Sequence, residues 1–258
     1  MLDLKFYLFH SHPGIVEQVA ATLLDLDRQE YRLLDPSEVM TCIRGDHPDG
    51  RYAVLTFDDG REEKHTDILD FLRERGIRAI AFLFPLEHTM DSLRLSWDFW
   101  RRNTDVIEIG AHSLTHSRVA QAKGPDVTGP ERLLSYRDRR SGADLAPGLV
   151  ARGYDQLYDR PETDGEYRMR LESEIYLAKK MLERSLGVPC RFFSYPWGLF
   201  TPEVVEIVKE SGFEAAFSVN QTDGTVWSIP RIDMDSDQPK RSTRTFSIGG
   251  CRVLQDCA

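Results

Sequence analysis

The chain has 258 residues, 41% of them hydrophobic and 29% charged, with a formal net charge of -9 at pH 7. That length is near the upper limit for one hydrophobic core and ordinary for an α/β barrel, so a single domain over residues 1–258 is expected. The acidic balance argues against nucleic acid or an anionic membrane as the main partner, because phosphate-binding faces need an excess of Lys and Arg. Nowhere do about 18 apolar residues run together, and the first residues lack a basic region followed by an apolar stretch, so no stable membrane insertion and a cytoplasmic location are expected. Cys42, Cys190, Cys251 and Cys257 have no metal-knuckle spacing and are too sparse for a disulfide scaffold, so reduced thiols are expected.

Leu4–Phe9 is a strand-like apolar run that ends in His10-Ser11-His12-Pro13. Ile15–Leu26 has helical apolar spacing, and Leu33–Ile43 reads as a short strand and helix before the polar loop Arg44–Arg51. Val54–Gly60, V-L-T-F-D-D-G, is a strand that stops abruptly on two carboxylates and a glycine. Successive strand side chains point to opposite sides, so Asp58 and Asp59 are expected to do different jobs, one gripping a metal and the other taking a proton. Taken alone, the same residues also fit an ordinary Asp-Asp-Gly turn.

Glu62–Gly76 fits a helix with Ile68, Leu69 and Leu72 facing inward and Gly76 beyond its end, and Ile77–Phe84 is then a buried strand that completes a right-handed βαβ unit. Ser96 is placed to N-cap the next helix. Ile107–Gly110 is a further strand, followed by His112 and His116. On a helical turn, positions four apart share a face, and neutral imidazoles suit zinc and similar divalent ions. Such a pair is by itself more often a solvated helix face. With Asp59 it makes three ligands and leaves a fourth position open, as catalytic sites do.

From residue 118 to 165 Gly, Pro, Arg and Asp dominate, with short apolar clusters at Leu133–Leu134 and Leu145–Val150; such a stretch is a functional lid or disordered. Tyr167–Leu186 is the clearest amphipathic helix, with Leu171, Ile175, Ala178, Met181 and Leu182 on one face and Gly187 after its last turn. Phe192–Ser194 is a strand with the loop Tyr195-Pro196-Trp197-Gly198 behind it, and Thr201 caps a helix running to Glu210 with Pro202 first. Phe213–Val219 and Thr225–Ile232 read as the last strands, whereas Asp233–Ala258 shows no assignable pattern.

T-F-D-D-G at Thr56–Gly60, H-S-L-T-H at His112–His116 and F-F-S-Y-P-W-G at Phe192–Gly198 resemble, in order and rough spacing, three motifs of the polysaccharide deacetylases with the NodB-homology domain, carbohydrate esterase family 4. The resemblance runs from about Phe6 to Ile232 apart from the insertion 118–165. It implies a distorted (β/α) barrel of about seven strands with a lid-like insertion. It also implies a divalent metal on Asp59, His112 and His116, Zn2+ first with Co2+, Ni2+ or Mn2+ as alternatives, and removal of an N-acetyl group from an amino sugar or glycan precursor. Asp58 is then the general base, and the backbone N–H of Trp197 acts with the metal on the oxyanion. Tyr195, Pro196, Trp197 and Gly198 become candidate substrate-binding residues, because rings beside a metal site stack on sugars; core packing competes, especially for Phe192 and Phe193. The insertion leaves directly from His116 and is placed to cover the site, with a surface excursion of no role as the alternative. Its Tyr136, Arg137, Arg139, Arg140, Tyr154, Tyr158 and Arg160 suit a sugar bearing phosphate or carboxylate, although Asp138, Asp144, Asp155 and Asp159 dilute the charge.

The sequence leaves the family pattern twice. Typical members carry an Arg where Ser194 stands, paired with the base, and a late His that orders or supplies the acid; here no histidine follows His116. Ser194–Gly198 resembles a subgroup with a small or apolar residue there and a late P-R-I like Pro230-Arg231-Ile232, which makes Arg231 a candidate partner of Asp58. Phe9-His10 resembles the Tyr-His that ends the first strand of many members, which makes His10 the candidate acid, with a packed structural histidine as the competing reading. Of His10 and His12, one is expected to face the mouth, and His10, directly after the apolar run, is the better candidate; His47, His65 and His88 fall in polar loops or on a helix flank. Two other functions stay open: an amidase of the same fold acting on another C–N bond, such as a formamide, and a catalytically lapsed sugar-binding protein, against which the retained ligands and Asp58 argue. Nothing in the sequence bears on oligomeric state.

Overall fold

A computed structural model describes residues 2–60, 62–86, 96–121, 136–137, 144–155, 158–219, 222–235 and 242–257. Strand β1 (Leu2–Phe9) is buried along its whole length, as a strand in a sheet covered on both faces must be. Helix α1 (Ile15–Arg28), β2 (Arg32–Leu33) and α2 (Val39–Arg44) lead to β3 (Gly50–Asp59), which runs parallel to β1 from Leu2↔Gly50 to Phe9↔Phe57. Helix α3 (Glu62–Glu74) returns the chain to β4 (Ala79–Leu83), and α4 (Trp97–Arg102) to β5 (Ile107–Ala111). Ser96 caps α4 as expected, its Oγ accepting from the Phe99 N–H at 3.2 Å.

The segment after His116 differs from its reading as patternless. Strands β6 (Arg118–Gln121), β7 (Tyr136–Arg137) and β8 (Asp144–Pro147) form a three-stranded antiparallel sheet, and β9 (Tyr154–Asp155) pairs with β10 (Arg160–Pro161). Strands of two to four residues are too short to show an alternating pattern, which is why sequence periodicity misses them. Part of this segment is core: Ala146, Leu149 and Ala151 are buried, and the Tyr167 hydroxyl donates to the Leu149 carbonyl at 2.9 Å. Leu133, Leu134, Asp138, Arg139, Arg140 and His88 lie outside the described residues.

The next helix is also divided. Thr163 and Glu166 form a capping box for α5 (Asp164–Glu172), a π turn occupies Ser173–Leu177, and α6 (Ala178–Leu186) completes the run. Leu171, Ile175, Ala178 and Leu182 are buried as the amphipathic pattern requires. Strand β11 (Phe192–Ser194), α7 (Pro202–Glu210), β12 (Ala215–Ser218), β13 (Ile229–Pro230) and β14 (Ile232–Asp233) follow.

The parallel strands run in the order β13-β12-β11-β5-β4-β3-β1, and β14 returns to pair with β1. One five-residue segment thus spans the seam: Ile229 pairs with Phe217 of β12 and Ile232 with Tyr7 of β1, giving a nearly closed barrel. Residues 233–258, unassigned in sequence, contribute the hairpin β15 (Ser242–Ile248) and β16 (Cys251–Cys257), whose second strand pairs with the start of β1.

Alternation sorts the side chains into two cores. Phe6, Val54, Ile80, Phe82, Phe192 and Phe217 fill the barrel, while Phe9, Leu55, Phe57, Leu83, Ile109 and Phe193 pack against the helices. Gly110 sits at an inward position where a Cβ would overlap the Phe82 ring, so glycine there makes room for a large neighbour. Among the described residues no helix is long and apolar enough to cross a membrane. Cys42, Cys190 and Cys251 are buried free thiols.

Candidate active site

The candidate metal ligands, Asp58, Arg231 and His10 gather at the C-terminal ends of the barrel strands, where loops leave a rigid scaffold. In β3, alternation carries Thr56 and Asp58 inward, and Asp58 is 2% exposed. Asp59 would then point away, but its backbone is left-handed, with φ 74°. The turn brings both acids to one imidazole: His112 Nε2 is 3.6 Å from Asp58 Oδ2 and 3.8 Å from Asp59 Oδ1. His116 Nε2 is 3.8 Å from the same Asp59 oxygen.

The two histidines are not on a helical turn, as their spacing first indicates. Ser113 and His116 adopt left-handed φ of 60° and 52°, and the loop between them folds until the imidazole centroids are 4.8 Å apart. Of the six non-glycine residues with positive φ among those described, four (Asp59, Ser113, His116 and Trp197) line this site. Each costs about 1–3 kcal/mol and persists only where its surroundings over-determine it.

The donor set fits a divalent cation. One carboxylate oxygen and two imidazole nitrogens, from Asp59, His112 and His116, lie within 4.8 Å of one another. His112 Nδ1 is committed to the Ser194 carbonyl at 2.8 Å, so Nε2 carries the lone pair. Burial and the neighbouring His112 push the His116 imidazole down to about 4, so it is neutral at physiological pH.

Beneath this trio Arg231, at the barrel seam, forms a bidentate pair with Asp58, Nη1 to Oδ1 at 2.7 Å and Nη2 to Oδ2 at 2.8 Å. Its other N–H groups reach Ser194 Oγ at 2.7 Å, Thr56 Oγ1 at 3.2 Å and the Ser218 carbonyl at 3.3 Å, which accounts for all five guanidinium donors. Burial alone would raise the Asp58 carboxyl, but the Arg231 charge overrides it and holds the group below the ordinary carboxylate range. Ser194 leaves space for this head group, and its Oγ also donates to Asp58 at 3.3 Å.

His10 stands at the end of β1. Its Nδ1 is 2.6 Å from Asp235 Oδ2, and its backbone N–H donates to the same oxygen at 2.9 Å. Burial opposes the charge, but the Asp235 hydrogen bond and the field of Asp58 and Asp59 outweigh it and lift the imidazole to about 9. His12 does not point away: its Nε2 is 3.4 Å from Asp235 Oδ1, so both histidines meet one carboxylate. Sequence reading missed Asp235. The available clue was the run of alternating acids in Asp233-Met234-Asp235 directly behind Pro230-Arg231-Ile232, which the Met234 N–H anchors to the Leu8 carbonyl of β1 at 3.0 Å.

The Tyr195–Gly198 loop divides. Trp197, with φ 57°, lays its ring 4.4 Å from that of His116, and the Arg118 guanidinium lies 4.5 Å from the indole centre. Tyr195 is fully buried against Phe193 and Phe200 with its hydroxyl donating to the Trp227 carbonyl at 2.8 Å, so it offers no face to a ligand; it alternates with the inward Ser194 and therefore points to the helices. Pro196 and Gly198 are buried as well, and a Cβ on Gly198 would meet the Val219 backbone at 2.7 Å. In the insertion the Arg160 charge is paired with Glu166 at 2.7 and 2.8 Å, and the Tyr154 hydroxyl donates to Asp159 at 2.5 Å. His47 packs edge-on against Tyr52 near the start of β3, at the other end of the barrel.

The family model described as polysaccharide deacetylase matches residues 45–216. Among solved structures, a de-N-acetylase from Aggregatibacter actinomycetemcomitans is similar at 19% identity over 91% of this chain and 97% of that one, with a TM-score of 0.70. The deacetylase domain of BpsB from Bordetella bronchiseptica (16% identity, 90% and 95% covered, TM-score 0.69) and IcaB from Ammonifex degensii (18%, 92% and 91%, 0.61) share the fold. No curated protein matches the sequence.

Proposed function

The chain belongs to the polysaccharide deacetylase family, and from that premise we propose that it is a metal-dependent hydrolase that removes an N-acetyl group from an amino sugar or glycan. The observation that carries this reading is the contact between two separate devices: the Asp59, His112 and His116 donor cluster, and, 3.6 Å from its His112 nitrogen, an Asp58 carboxylate held ionised by Arg231.

Asp59, His112 and His116 would hold the cation, with Zn2+ the best match to an oxygen and two imidazoles and Co2+, Ni2+ or Mn2+ as alternatives. When bound, such an ion supplies Lewis acidity, acidifying water and polarising the acetamide carbonyl. Asp58 takes the proton from the water that attacks the acyl carbon. Being ionised throughout the neutral range, it is always in the accepting form. As the C–N bond breaks, the amine nitrogen needs a proton, and His10, lifted to about 9, is charged and able to give one. Environments that push two titratable groups apart in this way separate a base from an acid. Asp235 fixes the His10 ring, while the backbone N–H of Trp197 would donate to the developing oxyanion and its indole would be the surface for a sugar ring. The products are acetate and the free amine.

The test is metal content together with acetate release over a panel of N-acetylhexosamine donors. Stoichiometric divalent metal with acetate production is expected. Formate release from N-formyl analogues without acetate would move the assignment to deformylation, and absence of any hydrolysis from metal-loaded protein would leave a sugar-binding role.

A further inference from the structure

A carboxylate on the apolar face of a long helix is costly to bury unless hydrogen bonds satisfy it. Glu174 is such a group. It lies in the π turn Ser173–Leu177 between the buried Leu171 and Ala178, and is itself 8% exposed. Its bonds all go to one place. Oε2 accepts from the backbone N–H groups of Leu114 and Thr115, each at 3.1 Å, and Oε1 accepts from Thr115 Oγ1 at 2.7 Å.

Leu114 and Thr115 lie between His112 and His116, in the loop whose two ends are left-handed at Ser113 and His116. Within the loop the Ser113 Oγ accepts from the His116 N–H at 2.9 Å. That bond ties the loop to itself. Glu174 ties it to another element, and three bonds converging on one carboxylate fix both its position and its orientation. A π turn widens the helix by a residue at this point, a feature that recurs at functional sites.

We infer that Glu174 is a positioning residue that presets His116 against Asp59 and His112, so that the donor cluster exists before a cation arrives. The role rests on the reading of that trio as a metal site. It predicts that removing the carboxylate weakens metal affinity rather than merely loosening the fold, since partners that orient ligands typically contribute about 10–100-fold.

The experiment is calorimetric titration of metal-stripped protein with Zn2+, run on wild type, Glu174→Gln, Thr115→Val and the double variant, with thermal unfolding and amide exchange measured on the metal-free forms. Glu174→Gln is expected to lower Zn2+ affinity about 10–100-fold, Thr115→Val to lower it less, and the double variant to be no worse than Glu174→Gln, because the two share a bond. The Leu114 and Thr115 amides are expected to exchange slowly in wild type and fast in Glu174→Gln. A lower unfolding temperature with unchanged Zn2+ affinity in Glu174→Gln would reduce the residue to a structural one and overturn the inference. If Glu174→Gln does not fold, Thr115→Val decides: wild-type affinity there also overturns it. Wild-type protein that takes up no Zn2+ refutes the metal reading itself, and the positioning role falls with it.

Discussion

Replacing Arg231 with Met removes the charge partner of Asp58 while keeping an apolar stem in the seam. Both side chains are essentially inaccessible, at 0% and 3% exposure, so solvent cannot take over the lost bonds. Breaking a buried ion pair from one side costs about 3–5 kcal/mol, because the remaining charge is left uncompensated. For a domain of this size each kcal/mol moves Tm by about 2–4 °C, so a fall of roughly 10 °C is expected near neutral pH. The penalty has a pH signature. In the wild type Asp58 is held below its ordinary range, so it stabilises the fold above about pH 4, and that contribution is lost as the pH falls further. In Arg231→Met burial is opposed only by the His112 and His10 charges and the Ser194 hydroxyl, so the carboxyl rises and the ionised form destabilises until acid protonates it. The difference between wild type and variant must therefore shrink between about pH 7.5 and pH 4.5. Urea unfolding at both values, with Asp58→Asn/Arg231→Met as a control that removes both charges, measures it. A single variant within about 1 kcal/mol of wild type, or a gap that does not change with pH, would refute the reasoning.

Asp59→Ala, His112→Ala and His116→Ala are each expected to lose both bound metal and turnover, whereas Asp58→Asn should keep the metal by elemental analysis and lose about 10²–10⁴-fold in kcat; a near-normal rate would remove Asp58 from the role of base. His10→Ala is expected to lose roughly 10²-fold in kcat with metal retained, and Asp235→Asn to shift the alkaline limb of the pH–rate profile downward from about 9, since the hydrogen bond that lifts His10 is gone; unchanged profiles in both would make His10 a packed strand-end residue. Trp197→Ala should raise KM by up to about 10-fold through lost ring contact. Tyr195→Phe should leave KM alone and cost about 1 kcal/mol in unfolding measurements, because its hydroxyl serves the Trp227 carbonyl and not a ligand.

How far these residues could be read from sequence depended on whether their signal was local. Asp58, Asp59, His112 and His116 follow apolar strand runs directly, so strand ends alone place them at one mouth. Tyr195 could have been corrected by the same logic: counting on from Ser194 puts it on the opposite side of the strand. The left-handed Asp59 could not, since alternation predicts divergence and only the observed φ reverses it. Asp235 and Glu174 act through contacts with residues 225 and about 60 positions away, which no periodicity encodes. The terminal hairpin was more legible than its first reading allowed: Gly249-Gly250 between alternating Phe246, Ile248, Cys251 and Val253 is a turn signal with strands on either side.

The segment that spans the barrel seam also couples closure of the sheet to the burial of Asp58. Asp58 and the guanidinium that neutralises it are 173 residues apart, and the late partner arrives on the same few residues that join β12 to β1. A growing chain can pair β1 with β3 early, yet it cannot bury the end of β3 until Arg231 has been synthesised, since a lone carboxylate resists transfer out of water. Barrel closure and the pairing of Asp58 with Arg231 thus depend on the same residues, at high sequence separation. A chain ending before this segment carries every candidate metal ligand but leaves Asp58 without its guanidinium partner.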